Sequence, residues 1–128
     1  MVENLTGPVI LVDDDAAVRK SLKFSLESEG IACEVYASGT DLLTRPDFPS
    51  CGCLVIDYQM PDINGIDLLK RLRERQVECP ALLITPQATA ELRERAAASG
   101  FVGVIEKPLQ ETSFYTTIHR VLSRCGAK

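Results

Sequence analysis

The strongest constraint in this sequence is the regular alternation of strand-like segments with amphipathic stretches. Strand-like segments, most of them continuous apolar runs, occupy residues 8–12, 31–36, 53–56, 81–84 and 101–105. Each is followed by a helical pattern, and the last helix is predicted from about Gln110 to Ser123. Continuous apolar runs are typical of parallel strands that are covered on both faces. The alternation therefore predicts a parallel sheet with right-handed crossovers and helices on both sides.

The length of the chain narrows this choice further. With 128 residues the chain is about half as long as a closed eight-stranded α/β barrel requires. We therefore predict an α/β, doubly wound (βα)5 fold of the flavodoxin-like kind. Its five-stranded parallel sheet is predicted in the order 2-1-3-4-5. Residues 1–128 are predicted to form a single domain with a core from about residue 7 to residue 124.

Residues that can end or begin a helix occur at the expected places. Residues suited to N-capping precede four of the predicted helices: Asp13 or Asp15, Ser38, Asn64 and Thr89. Gly30 and Gly100 follow helical patterns and can end them. These signals support the same division of the chain.

Charge and hydropathy exclude several classes of partner. The net charge of −4 gives no general attraction to nucleic acid or to an anionic membrane surface. No apolar run approaches the roughly 18 residues that a membrane span needs, and the N-terminus does not resemble a secretory signal. We therefore expect a cytoplasmic protein that binds neither nucleic acid nor membrane.

The cysteines do not indicate a disulfide framework or a zinc site. Their number is odd, and a domain of this size can build a core without disulfides. With His119 as the only histidine, a tetrahedral zinc site is difficult to assemble. We predict buried or partly buried free thiols at Cys33, Cys51, Cys53, Cys79 and Cys125.

Polar side chains follow four of the predicted strands. Asp13, Asp14 and Asp15 follow the first strand, Asp57 the third, Thr85 the fourth and Lys107 the fifth. Ligand sites in open α/β sheets lie at the carboxyl ends of the strands, near the switch point between strands one and three. We therefore expect these side chains to converge at one edge of the sheet.

The chemistry of this set favours phosphoryl transfer. Several carboxylates close together repel one another at neutral pH and require a cation. Oxygen ligands of this kind suit Mg²⁺. A metal ion, a lysine, a threonine and a nucleophilic carboxylate are the groups that phosphoryl transfer uses. Taken singly, each residue could be a cap, a turn residue or a solvated charge, so the hypothesis depends on their convergence.

At these residues the sequence resembles the receiver domains of two-component response regulators, the CheY-like superfamily. The matching motifs are Val12-Asp-Asp14, Ile56-Asp-Tyr-Gln-Met-Pro61-Asp-Ile-Asn-Gly65, Ile84-Thr85 and Glu106-Lys-Pro108. The resemblance covers residues 7–124 and is greatest to receivers of the nodulation and nitrogen-fixation regulator type. It implies that Asp57 accepts a phosphoryl group from a histidine kinase or phosphotransfer protein. Thr85 and Lys107 would hold the phosphoryl oxygens.

The resemblance also implies a metal site and a set of partners. The implied Mg²⁺ ligands are the side chains of Asp14 and Asp57, the backbone carbonyl of Gln59 and, mainly through water, Asp13. A receiver catalyses only its own Mg²⁺-dependent phosphorylation and dephosphorylation, so we do not expect an enzyme with another substrate. Its conformational change regulates an output domain or a target protein. A cis peptide bond before Pro108 is also implied.

Three departures from the family pattern involve four residues. Val104 stands where a Tyr or Phe is usual, and Pro86 stands where a small residue usually follows the threonine. Gln59 and Gln87 occupy positions that tune loss of the phosphoryl group in the family. Because valine is small and has one strongly preferred rotamer, it can bury little additional area on switching. We therefore expect any homodimer formed on phosphorylation to be weak.

Two other functions fit parts of the sequence. A pseudo-receiver that acts as an unphosphorylated interaction module is compatible with Val104 and Pro86. A phosphatase of the haloacid-dehalogenase type would use an Asp-x-Asp nucleophile such as Asp13-Asp-Asp15, but it needs a further acidic pair after Lys107, where only Glu111 follows. A dinucleotide-binding role is excluded because no Gly-x-Gly-x-x-Gly follows the first strand.

Overall fold

A computed structural model describes residues 7–49 and 52–126, and strands and helices alternate through these residues. In chain order the elements are β1 (Val9–Val12), α1 (Ala16–Ser28), β2 (Cys33–Tyr36), α2 (Gly39–Leu43), β3 (Cys53–Asp57), α3 (Gly65–Glu74), β4 (Ala81–Thr85), α4 (Ala90–Ser99), β5 (Gly103–Glu106) and α5 (Glu111–Gly126).

The five strands form one parallel sheet in the order β2-β1-β3-β4-β5. Both the predicted fold and the predicted strand order are confirmed. The chain passes from β1 outward to β2 and then back across to β3, so the direction of winding reverses between β1 and β3. This reversal opens a crevice at the carboxyl ends of β1 and β3.

Alternate side chains of the strands point to opposite faces of the sheet and pack into two separate hydrophobic cores. Ile10, Leu54 and Leu83 face a core that α2, α3 and α4 cover, with Leu42, Leu69 and Ala96 buried there. Val9, Val55 and Ile84 face the opposite core, which α1 and α5 cover with Leu22, Leu26, Phe114 and Ile118. Because both faces of the central strands are buried, β1, β3 and β4 are apolar except at the last residues of β3 and β4, which are Asp57 and Thr85.

The helix boundaries depend on the predicted caps. The side chains of Asp15, Ser38, Asn64 and Thr89 accept hydrogen bonds from the first turns of α1, α2, α3 and α4. Gly100 ends α4 in the left-handed region at φ 106°, a conformation that a residue with a Cβ adopts only with strain. Each predicted cap is confirmed, with Asp15 rather than Asp13 capping α1.

Two predicted strands begin two residues later than the sequence pattern suggested. Ile31 and Phe101 were expected to start β2 and β5, but the strands begin at Cys33 and Gly103. The amide of Ile31 donates to Leu26 O at 2.9 Å, and that of Phe101 donates to Ala96 O at 3.0 Å. Their side chains are buried, but their amides bond to the preceding helices and not to a neighbouring strand. The apolar character of Ile31 and Phe101 therefore predicted their burial correctly but did not predict which residues pair with a neighbouring strand.

Three further expectations concern the thiols, one peptide bond and membrane-spanning segments. Cys33, Cys53 and Cys79 are free and buried, as expected, whereas Cys51 and the side chain of Cys125 lie outside the described residues. The Lys107–Pro108 peptide bond is cis, as the resemblance implied. Among the helices of the described residues, none has the length and apolar character that crossing a membrane would take.

Candidate functional site

The polar strand ends converge at the carboxyl edge of the sheet. Asp13 follows β1 directly, Asp57 is the last residue of β3, and Lys107 follows β5. In the register of the sheet, Val12 lies beside Ile56 and Asp57 lies beside Ile84. This register brings Asp13 and Asp57 together from chain segments more than forty residues apart.

Three carboxylates form a cluster at this edge. One oxygen from each of Asp13, Asp14 and Asp57 lies within 4.8 Å of the other two. Asp13 is fully buried and Asp57 is 3% exposed, whereas Asp14 is exposed to solvent. The cluster therefore has two buried carboxylates at its base and one accessible carboxylate at its rim.

Lys107 lies between the two buried carboxylates. Its ammonium Nζ is 3.1 Å from Asp13 Oδ2 and 3.5 Å from Asp57 Oδ1. Although both oxygens are at ion-pair distance from Lys107, neither accepts a well-directed hydrogen bond within the described residues. One cation thus faces two buried anions and leaves part of their negative charge uncompensated.

This imbalance shifts the ionisation of Asp57. Burial of the carboxylate and, to a smaller extent, the negative charge of Asp13 raise the pKa of Asp57 from 3.8 to about 6, against the opposing effect of Lys107. Burial of Lys107 would lower the pKa of its ammonium, but the charges of Asp13 and Asp57 outweigh burial and raise that pKa. Lysine therefore stays charged, and the ionised form of Asp57 is held in an unfavourable environment.

The loop after β1 is shaped by the three consecutive aspartates and by α1. Asp13 Oδ1 accepts a hydrogen bond of 2.9 Å from the Asp15 amide, and Asp15 Oδ1 caps α1. Arg19 Nη1 donates to the Asp13 carbonyl oxygen at 2.8 Å. Asp13 thus has one oxygen held by the backbone and one directed to the cluster. The sequence analysis did not predict this role for Arg19, because an arginine six residues after Asp13 matches no motif.

Thr85 is placed beside the cluster, but its hydroxyl bonds elsewhere. It is the last residue of β4 and is buried, and its register partner on β5 is Glu106. Its Oγ1 lies 3.3 Å from the Gln87 amide and 3.4 Å from the Gln87 carbonyl oxygen. Gln59, two residues after Asp57, is exposed. The roles predicted for Thr85 and for the Gln59 carbonyl therefore remain predictions.

Gly65 allows α3 to begin directly behind Asp57. A Cβ at this position would lie 2.7 Å from the Asp57 carbonyl oxygen and 2.8 Å from Leu83 Cδ1. The Gly65 amide donates to the Tyr58 carbonyl oxygen at 2.9 Å, which closes the loop that follows Asp57. The glycine at the end of the Asp-x-x-Met-Pro-x-x-x-Gly motif is thus explained by close backbone approach, a reason that the sequence did not supply.

The residues present fit a divalent cation that prefers oxygen ligands. Three carboxylate oxygens lie within 4.8 Å of one another, close enough to bind one ion. The buried oxygens Asp13 Oδ2 and Asp57 Oδ1 lack well-directed hydrogen-bond donors among the described residues. A hard cation such as Mg²⁺ uses one or two carboxylates and keeps several waters, so an accessible rim at Asp14 suits it. The donor set of this cluster contains no thiolate or imidazole.

The comparisons with known proteins agree with this architecture. A family model described as the response regulator receiver domain matches residues 9–119. The chain belongs to this family. Membership in the receiver family favours the receiver interpretation over the phosphatase that part of the sequence allowed.

Relatives and solved structures support the same assignment. The transcriptional regulatory protein FixJ of Bradyrhizobium diazoefficiens is 36% identical over 105 residues, which are 82% of this chain and 51% of FixJ. A response regulator receiver protein from Burkholderia phymatum is 35% identical with a TM-score of 0.75, covering 91% of this chain and 95% of that one. A CheY-like receiver domain from Methanospirillum hungatei has a TM-score of 0.85 at 24% identity, covering 94% and 96% of the two chains.

The likeness to FixJ-type receivers confirms the resemblance stated from the sequence. The chain spans about half the length of the curated relatives that it matches. Family membership therefore describes the receiver unit, and the output of a whole regulator is a separate question.

Proposed function

We propose that this receiver accepts a phosphoryl group on Asp57 and uses it to switch the conformation of the domain in a two-component pathway. The observation that carries the proposal is the placement of the Asp57 carboxylate. It is buried at the end of β3, 3.5 Å from the Lys107 ammonium and next to Asp13 and Asp14. Burial and the charge of Asp13 also raise the pKa of Asp57 to about 6, and carboxylates with shifted pKa values are concentrated at functional sites.

The reaction is an in-line displacement at phosphorus. A carboxylate oxygen of Asp57 forms the new P–O bond while the P–N bond of a phosphohistidine breaks, and the bonding pair leaves with the imidazole. The donor would be a histidine kinase or a phosphotransfer protein. Lys107 would hold a phosphoryl oxygen with its ammonium, and Thr85 would do so with its hydroxyl after leaving Gln87.

The cluster is suited to hold Mg²⁺ during this reaction. Its ligands would be the side chains of Asp14 and Asp57, the Gln59 carbonyl and, mainly through water, Asp13. Mg²⁺ bound there supplies positive charge against the phosphoryl oxygens. We infer no activity on other substrates, since the domain would catalyse only its own phosphorylation and dephosphorylation.

We infer the partners and the location of the protein by analogy with the family. The partners would be a kinase or phosphotransfer protein and an output domain or target protein, without direct contact of this domain to nucleic acid or membrane. The free thiols Cys33, Cys53 and Cys79 suit a reducing compartment, which supports a cytoplasmic location. Val104 is half-buried against the core under α3 and α4, and its small size supports only a weak homodimer on phosphorylation.

The test is labelling by a small phosphodonor. Wild-type protein treated with acetyl phosphate and Mg²⁺ should gain the mass of one phosphoryl group, and EDTA should prevent the gain. Asp57→Asn should show no gain, while the exposed-site control Asp47→Asn should label like wild type. Equal labelling of Asp57→Asn would assign the acceptor elsewhere. A wild type that binds Mg²⁺ but is not labelled would favour the pseudo-receiver.

A further inference from the structure

Glu106 contacts the loop that carries Thr85. It is the last residue of β5, directly before Lys107, and lies in register with Thr85. Its side chain is exposed, and its Oε2 accepts a hydrogen bond of 3.3 Å from the Ala88 amide. The phosphoryl transfer proposed above makes no use of this carboxylate.

The loop between β4 and α4 offers two backbone donors before its cap. Pro86 has no amide hydrogen. The Gln87 amide donates to Thr85 Oγ1 at 3.3 Å, and the Ala88 amide donates to Glu106. Thr89 then begins α4 as its N-cap. Side chains at the ends of β4 and β5, those of Thr85 and Glu106, therefore occupy both donors.

The base of the loop is also held. The Lys107 amide donates to the Thr85 carbonyl oxygen at 2.8 Å, so the backbone of Thr85 is fixed to the end of β5. What remains free to change is the hydroxyl of Thr85 and the course of residues 86–88. In this structure that hydroxyl is engaged with Gln87 and not with the carboxylate cluster.

We propose that Glu106 is a positioning residue that keeps the Thr85 hydroxyl engaged with its own loop. This inference rests on the proposed function. By holding the Ala88 amide, the carboxylate fixes Gln87 where its backbone bonds Thr85 Oγ1. A phosphoryl group on Asp57 must then displace both contacts to gain the Thr85 hydroxyl. Glu106 thus lowers the affinity of the site for the phosphoryl group.

The charge of Glu106 strengthens this contact. A hydrogen bond to an ionised acceptor is stronger than one between neutral groups, although solvent weakens it here because the side chain is exposed. Glu106→Gln keeps an acceptor oxygen without the charge, whereas Glu106→Ala removes the acceptor. The two variants therefore separate the hydrogen bond from the general effect of a negative charge near the site.

The experiment is calorimetric titration with beryllofluoride, a mimic of the phosphoryl group, in the presence of Mg²⁺. Glu106→Ala should lower the dissociation constant by about threefold to tenfold relative to wild type. Glu106→Gln keeps an acceptor oxygen but loses the charge, so its dissociation constant should lie between those of wild type and Glu106→Ala. An effect of charge alone would make the two variants alike. Glu94→Ala, which removes an exposed carboxylate from α4, is the matched control and should not change the constant. Unchanged or weaker binding by Glu106→Ala would overturn the proposal.

Amide hydrogen exchange in metal-free protein gives a readout that does not depend on the ligand. Glu106→Ala should speed exchange at Ala88 and Gln87 by about tenfold, while the urea midpoint stays at the wild-type value. Unchanged exchange at both amides would show that Glu106 does not hold the loop. A wild type that binds no beryllofluoride would overturn the proposed function and the affinity effect with it. The exchange data would still decide whether Glu106 fixes the loop.

Discussion

Replacing Asp57 by asparagine should stabilise the metal-free protein at neutral pH. The environment of Asp57 raises its pKa from 3.8 to about 6, because the carboxylate is buried and faces Asp13. A difference of one pKa unit between the folded and unfolded states corresponds to about 1.4 kcal/mol. Ionising Asp57 therefore costs about 3 kcal/mol more in the folded state than in the unfolded chain. Asparagine has nearly the same shape and carries no charge. Since its buried amide also loses hydration, we expect a net gain of about 1–3 kcal/mol.

The sign of this effect depends on pH. A raised pKa of an acid contributes stability that is fully present below the unfolded value of about 3.8 and is lost as the pH rises through about 6. Wild type therefore suffers the full penalty only above about pH 7. The difference between Asp57→Asn and wild type should be large at pH 7.5 and small at pH 4.

Urea unfolding in EDTA, followed by circular dichroism at both pH values, measures this difference. Asp47→Asn removes an exposed carboxylate and serves as the control, which should match wild type within experimental error. An Asp57→Asn variant that is less stable than wild type at pH 7.5 would refute the reasoning. So would a gain of equal size at the two pH values, because it could not come from the ionisation of Asp57.

Three more predictions follow from the site and the core. Millimolar Mg²⁺ should raise the thermal midpoint of wild type, because the unfolded chain cannot assemble the cluster, and calorimetry should show no such rise for Asp14→Ala. Gly65→Ala should lower the free energy of unfolding in urea by about 1–3 kcal/mol, since its Cβ would lie 2.7 Å from the Asp57 carbonyl oxygen; wild-type stability would contradict the packing. Burial raises the pKa of the Cys33 thiol to about 11, so at pH 8 it should react with a disulfide reagent much more slowly in the folded protein than in urea. Equal rates would contradict its burial.

The sequence determined the architecture because its signals were local and mutually consistent. Apolar runs that alternate with capped helical stretches specify strands and helices, and the helices need both faces of the sheet to bury their apolar sides. The caps Asn64 and Thr89 could be identified because capping involves only neighbouring residues. Convergence of Asp57 and Lys107 followed once the strands were taken as parallel.

Tertiary structure decided what each polar residue does. Asp13, Asp14 and Asp15 are adjacent and chemically identical in the sequence, yet one is buried against Lys107, one lies at the exposed rim and one caps α1. The difference arises because β1 pairs with β3 and because Lys107, which follows β5, reaches Asp13; both partners are distant in the chain. The bond from Ala88 to Glu106 has the same origin. Burial and pairing depend on which distant segments pack together, and a local pattern carries no record of that.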